Sequence, residues 1–331
     1  MRRILTLLAL LALAAVAPAC GGSSHRSPPV RRVTLMLDFT PNAAHAGIYS
    51  AVARGYDNDE GVDLTVRVPG DSTDAVKLLL SGRTQFSVMD IHDLALAGAR
   101  GRDLVAVMSI VQRPLAAVLA QPGVKSPRQL EGRKVGVTGL PSDDAVLRSI
   151  VAGAGGDYAK VRKVTIGFDA VPALLGRKVD AATAFWNVEG VALKSRRPGI
   201  RDFRVDDYGA PPYPELVLVT ARSTLSNDPM LVDDTVRALV RGYRLAVHHP
   251  ASSLADLESQ VHGLDPRQLE RQLNVLEPAL RPPGERVGGL DPHVLARWAS
   301  WETRFGIVPS RPDVARLFDT HVVPDALPRN M

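Results

Sequence analysis

Residues 33–55 read VTLMLDFTPNAAHAGIYSAVARG. The first five, Val33 to Leu37, are β-branched or apolar and predict a strand. Pro41 then favours a turn and Asn42 a helix N-cap, which opens a helical pattern over 44–54 that Gly55 can stop. Strand, turn and helix in that order form the unit of a parallel sheet with helices on its faces.

The same unit recurs along the chain. Strands are predicted at 64–68, 86–89, 104–110 and 116–119, and Ser72 or Thr73 caps a helix whose apolar positions Val76, Leu79 and Leu80 share a face before Gly82 ends it. A composition break falls at Gln121-Pro122-Gly123, after which the pattern restarts. It gives strands at 135–138, 164–167 and 181–185, with helices opening at Ser142, over 171–175 and over 187–194. A second break at 209–214 precedes a strand at 216–220 that leads back, and the remainder is mostly helical. The expected architecture is an α/β fold of two lobes. Residues 32–120 with 221–331 form lobe I and residues 121–220 form lobe II, joined near 119–123 and 215–221 around a hinged cleft.

Ahead of this pattern stand Arg2 and Arg3, an apolar run over 4–16, and the small-residue stretch Ala17-Pro18-Ala19. These are the parts of a secretory signal, so 1–19 is read as a signal peptide and 20–31, rich in Gly, Ser and Pro, as a flexible tether. A spanning helix needs roughly 20 apolar residues, and this run is interrupted by Pro18, Gly21 and Gly22. Cys20 is the sole cysteine and sits at the cleavage point. A small residue followed by Cys20 resembles a bacterial lipoprotein, which places the chain outside the cell membrane, held by lipid on that sulfur. The alternative is plain secretion with a free thiol, since Ala17-Pro18-Ala19 also fits the ordinary signal peptidase.

The formal net charge is +5 over 331 residues, and removing 1–19 takes away two arginines, leaving +3. That is too small for nucleic-acid binding by charge alone. A lone cysteine forms no disulfide within the chain. No Walker loop, G-x-G-x-x-G or zinc-spaced Cys/His set occurs, and Gly153-Ala154-Gly155-Gly156 follows a helix rather than a strand. No cofactor or metal is expected.

Ligands of open α/β sheets bind beyond the carboxyl ends of the strands. That rule selects the loops 38–45, 70–73, 90–92, 139–144 and 186–189, with the crossing segment 211–215 beside them. These loops hold Asp38, Asp71, Asp90, Asp143, Asp144 and Glu189 but no Arg or Lys, which favours a neutral or weakly basic ligand. Phe185, Trp186 and Glu189 offer aromatic plates and a carboxylate on one turn; the two aromatics read equally as core residues ending a strand. Asp38, Asn42 and His45 stand opposite, Asn42 having simple capping as its plain role. Asp90 also ends a strand, and Ser72 begins a helix whose amides can accept an anionic group. Tyr213 and Glu215 lie among Pro211, Pro212 and Pro214, either touching ligand as the lobes close or belonging to a stiff hinge. Trp298 and Trp301 read as packing.

The stretch 37–49, continued by Ala53-Arg54-Gly55-Tyr56 and Glu60-Gly61-Val62, resembles the opening of the thiamine-pyrimidine (NMT1/THI5-like) substrate-binding proteins of ABC importers. Phe185-Trp186-Asn187-Val188-Glu189-Gly190 resembles a second phrase of that family, and Leu130-Glu131-Gly132-Arg133-Lys134-Val135-Gly136-Val137 one of the wider superfamily. The resemblance implies a type II periplasmic-binding-protein fold. It further implies a monomer that performs no covalent chemistry, binds a formylaminopyrimidine-type thiamine precursor and delivers it to an ABC permease and its ATPase. His45 is similar to a histidine that enzymes of the family consume as substrate, and here is expected to line the pocket. Two departures stand out: Asp57-Asn58 where an aromatic usually follows Gly-Tyr, and Phe185 in place of a tyrosine. A riboflavin or alkanesulfonate binding protein is the nearest alternative. An enzyme resembling the pyrimidine synthase is another, although that enzyme's lysine-bound pyridoxal phosphate and cysteine-rich segment have no counterpart in a chain with Cys20 alone.

Overall fold

The computed structural model describes residues 30–70, 74–140 and 142–324. Among the described residues there are ten strands: β1 Arg31–Met36, β2 Val62–Arg67, β3 Phe86–Asp90, β4 Leu104–Val111, β5 Ala116–Ala120, β6 Lys134–Val137, β7 Arg162–Thr165, β8 Ala181–Phe185, β9 Arg201–Arg204 and β10 Leu216–Ala221. They form two five-stranded sheets, ordered β2-β1-β3-β10-β4 and β7-β6-β8-β5-β9. Within each sheet the βαβ units give parallel pairs, β1 with β2 and β3, and β6 with β7 and β8. Each sheet also has one antiparallel strand. β10 lies between β3 and β4, and β5 between β8 and β9.

Those two antiparallel strands correct the expected lobe boundaries. Strand β5, assigned by sequence to lobe I, belongs to the second sheet, and β10, assigned to lobe II, belongs to the first. The chain therefore crosses at 112–115 and 210–215, one strand earlier than the break at Gln121-Pro122-Gly123 suggests. The first crossing is marked only by Gln112-Arg113-Pro114, a break without the glycine of Gln121-Pro122-Gly123, and Leu115 beside it is fully buried and runs directly into β5. At the other end of the chain, Arg31, counted in the tether, already pairs in β1 and bridges to Asp228 and Asp234. Cys20, the signal segment and Ser72 lie outside the described residues. Among the described residues no helix is long and apolar enough to cross a membrane.

Strands β4, β5 and β10 are buried along their whole length, as continuous apolar runs covered on both faces should be. Helices cover the sheets. The closest crossing is between Ala46–Ala53 and Pro229–His248, where a Cβ on Gly242 would stand 1.9 Å from the Gly47 carbonyl oxygen, and one on Gly47 2.5 Å from Tyr243 Cγ. Only glycine fits at either place. The contact lets Tyr243 donate to the Ala44 carbonyl at 2.7 Å, which fixes the turn after β1 from behind.

Candidate functional site

A cavity of about 340 Å³ lies between the lobes at the carboxyl ends of β1, β3, β6 and β8. Phe39 from the first lobe meets Phe168 from the second edge to face, with ring centroids 4.8 Å apart, and Phe185 adds a third phenyl wall. The lobes also meet where the Ser142 amide donates to Asp93 Oδ1 at 3.2 Å.

Asp38 and Glu189 are the carboxyls best placed to receive a ligand. His45 holds Asp38 from below. The Asn42 amide donates to His45 Nδ1 at 3.2 Å, so the ring proton sits on Nε2 and is donated to Asp38 Oδ1 at 2.8 Å. Glu189 faces the cavity from the first turn of helix Glu189–Arg196, with Oε2 accepting from the Phe185 amide at 3.2 Å. Burial lifts its pKa to about 7, and the negative charge of Asp38 across the cleft adds to the rise.

The remaining acids on the wall are already engaged. Asp143 accepts from Thr138, Gly139 and Thr183. Asp93, pushed up to about 6 chiefly by burial, accepts from Ser142. Asp90 caps helix Ile91–Ala99 through the His92 amide at 2.7 Å and is held well above its usual range by burial.

Of the residues singled out by sequence, Asp38, Asp90, Phe185 and Glu189 line the cavity. Trp186 does not. Adjacent side chains at a strand end point to opposite faces, so when Phe185 faces the cleft Trp186 turns away. Its indole Nε1 donates to the Pro114 carbonyl at 3.1 Å, with the Arg204 guanidinium 4.1 Å over the ring. Asn42 is a cap, its Oδ1 accepting from the Ala44 amide, and His45 is fully buried behind Asp38 instead of lining the pocket.

Tyr213 and Glu215, two apart and on one side of their segment, are buried beneath the cavity rather than exposed to it. Glu215 Oε2 accepts from the Leu115 and Ala116 amides at 2.5 and 2.9 Å, joining one crossing segment to the other. Tyr213 stacks on Trp301, and its hydroxyl lies 3.1 Å from His92 Nε2, while His92 Nδ1 pairs with Glu302. Burial alone would lower the His92 pKa, but Glu302 and then Asp90 outweigh it and lift the imidazole to about 10. Coordinating atoms of Asp90, His92 and Glu215 lie within 4.8 Å of one another. Both ring nitrogens of His92 are taken, so this is a hydrogen-bond network rather than an open metal site. Glu215 Oε1 has no donor among the described residues, and burial raises the pKa values of both Glu215 and Asp90.

Phe39 and Phe168 are wall residues that the sequence reading did not select as site residues. Phe39 was in view, inside the stretch that carries the family resemblance. Phe168 follows β7, a strand end that was not among the loops selected. Lys77, Arg100 and Arg102 line the cavity as well, so the wall has cations that the strand-end loops lack.

Two α/β lobes enclosing a ligand-sized cavity at facing strand ends define a substrate-binding protein of the periplasmic-binding-protein type. Residues 42–253 match the family model described as NMT1/THI5 like, and the chain belongs to that family. A formylaminopyrimidine-binding protein of Halalkalibacterium halodurans is 30% identical over 299 residues, covering 88% of this chain and 91% of that one. A riboflavin-binding protein, RibY, of Chloroflexus aurantiacus is 25% identical over 71% of this chain and 68% of its own. A 4-amino-5-hydroxymethyl-2-methylpyrimidine phosphate synthase of Legionella pneumophila is 24% identical over 66% of this chain and 70% of that protein. Among solved structures, the alkanesulfonate-binding protein SsuA of Xanthomonas axonopodis pv. citri bound to MOPS has a TM-score of 0.71 at 17% identity, covering 88% of this chain and 99% of that one. That likeness establishes the type II periplasmic-binding-protein fold. The chain is a binding protein, not an enzyme.

Proposed function

We propose that this protein binds a thiamine pyrimidine precursor of the formylaminopyrimidine type between its lobes and delivers it to an ABC permease. The observation that carries the reading is the pairing of Asp38 and Glu189 from opposite lobes beside three phenyl rings. An aminopyrimidine presents an exocyclic amine next to a ring nitrogen. A carboxyl poised near pH 7 matches that edge at two points, its hydroxyl donating to the nitrogen and its carbonyl accepting from the amine. Asp38, held in place by His45, accepts from a second N–H. The phenyl groups cover the ring, each good aromatic pair contributing about 0.5–1.5 kcal/mol. The relative of like length that binds formylaminopyrimidine supports the same ligand class.

Delivery to a permease needs an extracytoplasmic address. The sequence of residues 1–31 supports export with a lipid on Cys20, and the mass of the mature N-terminus tests it: a bare thiol there removes the anchor and leaves the ligand reading intact. For the ligand, calorimetry on protein lacking residues 1–20 is expected to give micromolar or tighter binding of an aminomethylpyrimidine. Absence of heat with that compound, together with a clear isotherm for riboflavin or an alkanesulfonate, would refute the assignment. Riboflavin is the second reading, favoured by an adjoining cavity of about 450 Å³ that gives the cleft room for a longer ligand.

A further inference from the structure

Helix Ile91–Ala99 forms one wall of the cleft and acts as a ruler along it. Asp93, Leu96, Ala97 and, just past the helix end, Arg100 all line the cavity. Their spacing of three, four and seven puts them on one face, and seven residues at 1.5 Å each span about 10 Å. The acidic end of the cleft is therefore at the start of this helix, and the Arg100 guanidinium is at its end. Arg102 and Lys77 lie on the wall too. The side chains of all three are exposed and have no ion pair or hydrogen bond among the described residues.

The adjoining cavity shares Leu96, Arg100, Leu140 and Asp143 with the first. Its other cations are engaged: Lys163 pairs with Asp144 at 2.7 Å, and Arg148 donates to the Phe305 and Gly306 carbonyls. Arg100 is the unengaged cation at the junction. An arginine after the last turn of a helix also complements the helix dipole, but that role does not account for Arg102 and Lys77 on the same wall.

We infer that the cleft takes a heterocycle bearing an anionic arm, the ring at the Asp38 and Glu189 end and the arm, a phosphate ester or carboxylate, at Arg100 and Arg102. The inference rests on the pyrimidine reading and extends it. The test compares a 4-amino-5-hydroxymethylpyrimidine with its phosphate monoester by calorimetry, on the unaltered protein and on the Arg100→Gln/Arg102→Gln variant. Without a cationic end, the acids on the wall would repel the ester. The expected result is that the ester binds the unaltered protein at least as tightly as the alcohol, and that the variant weakens the ester roughly tenfold or more while leaving the alcohol unchanged. An ester that binds more weakly than the alcohol to the unaltered protein, or a variant that shifts both ligands alike, overturns the inference and leaves the pyrimidine reading standing. If neither compound binds, the pyrimidine reading itself fails, and this one with it. Both substituted side chains are exposed, so the folded state survives the change.

Discussion

The strand ends that face each other across the cleft, Asp90-Ile91-His92 after β3 and Phe185 to Glu189 across the end of β8, divide their side chains in the same way. One set faces the cavity, Asp90 on one side and Phe185 with Glu189 on the other. The other set reaches back to a crossing segment, His92 to Tyr213 and Trp186 to the Pro114 carbonyl. The roots differ in kind. Lobe I is anchored by a buried network of ionisable groups, His92, Glu302, Tyr213, Glu215 and Asp90. Lobe II is anchored by one neutral hydrogen bond, apolar packing and the Arg204 guanidinium over the Trp186 ring, with no acid or imidazole among them. Charge at one root and shape at the other imply that only the first should respond to pH.

The largest expected effect is at the charged root. Glu302→Ala leaves the His92 imidazole buried without its counter-ion and is expected to cost about 3–5 kcal/mol of folding stability in denaturant melts, with ligand affinity retained by the folded fraction. The sign of the pH dependence follows from a proton held to about pH 10 in the fold against an ordinary value of 6.5. This stabilisation is complete below about 6.5 and disappears as pH rises through 10, and Glu302→Gln flattens that decline.

At the neutral root, Trp186→Ala is expected to cost about 3 kcal/mol in the same melts. Trp186→Phe keeps the packing, loses the bond to Pro114, and leaves ligand affinity within about twofold. A large affinity loss in Trp186→Phe would place the indole in the site and break the division of roles.

Within the cavity, Glu189→Leu removes the two-point edge contact and is expected to weaken an aminopyrimidine by about 1–3 kcal/mol, or tenfold to a hundredfold, in calorimetry. Because Glu189 donates only while protonated, affinity should fall as pH rises above about 7, and Glu189→Gln should make the profile flat. The smallest effect belongs to the cap: Asn42→Ala should cost about 1 kcal/mol of stability.

Periodicity revealed the central strands β3, β4, β5 and β10 most clearly, because they are buried almost throughout and read as continuous apolar runs. It missed β9, whose sequence Arg201-Asp202-Phe203-Arg204 is that of an edge strand with one buried side chain. It also took 90–92 for a loop, where Asp90 in fact caps helix Ile91–Ala99; three of the cleft-facing groups, Asp93, Leu96 and Ala97, lie on that helix. In the site, residue type and strand-end position picked out Asp38, Asp90, Phe185 and Glu189. What they left open was direction. Trp186 was the more conspicuous aromatic, yet alternation across a strand end allows only one of two neighbours to face the cleft, and the phase of that alternation is set by sheet pairing. Glu215 and Tyr213 misled for a related reason, since their prolines suggest an exposed linker while the fold buries the segment between two sheets.

The stitch from Glu215 to the Leu115 and Ala116 amides brings the two ends of the second lobe together. All five strands of that lobe come from one uninterrupted stretch, β5 to β9, entering and leaving beside a single carboxylate. Topologically the lobe is a cassette, inserted into the first at one point. A gene segment spanning it could be exchanged between relatives to recombine one wall of the cleft with a different opposite wall, provided the residues around Glu215 and the inter-lobe partners of Ser142 and Arg148 match.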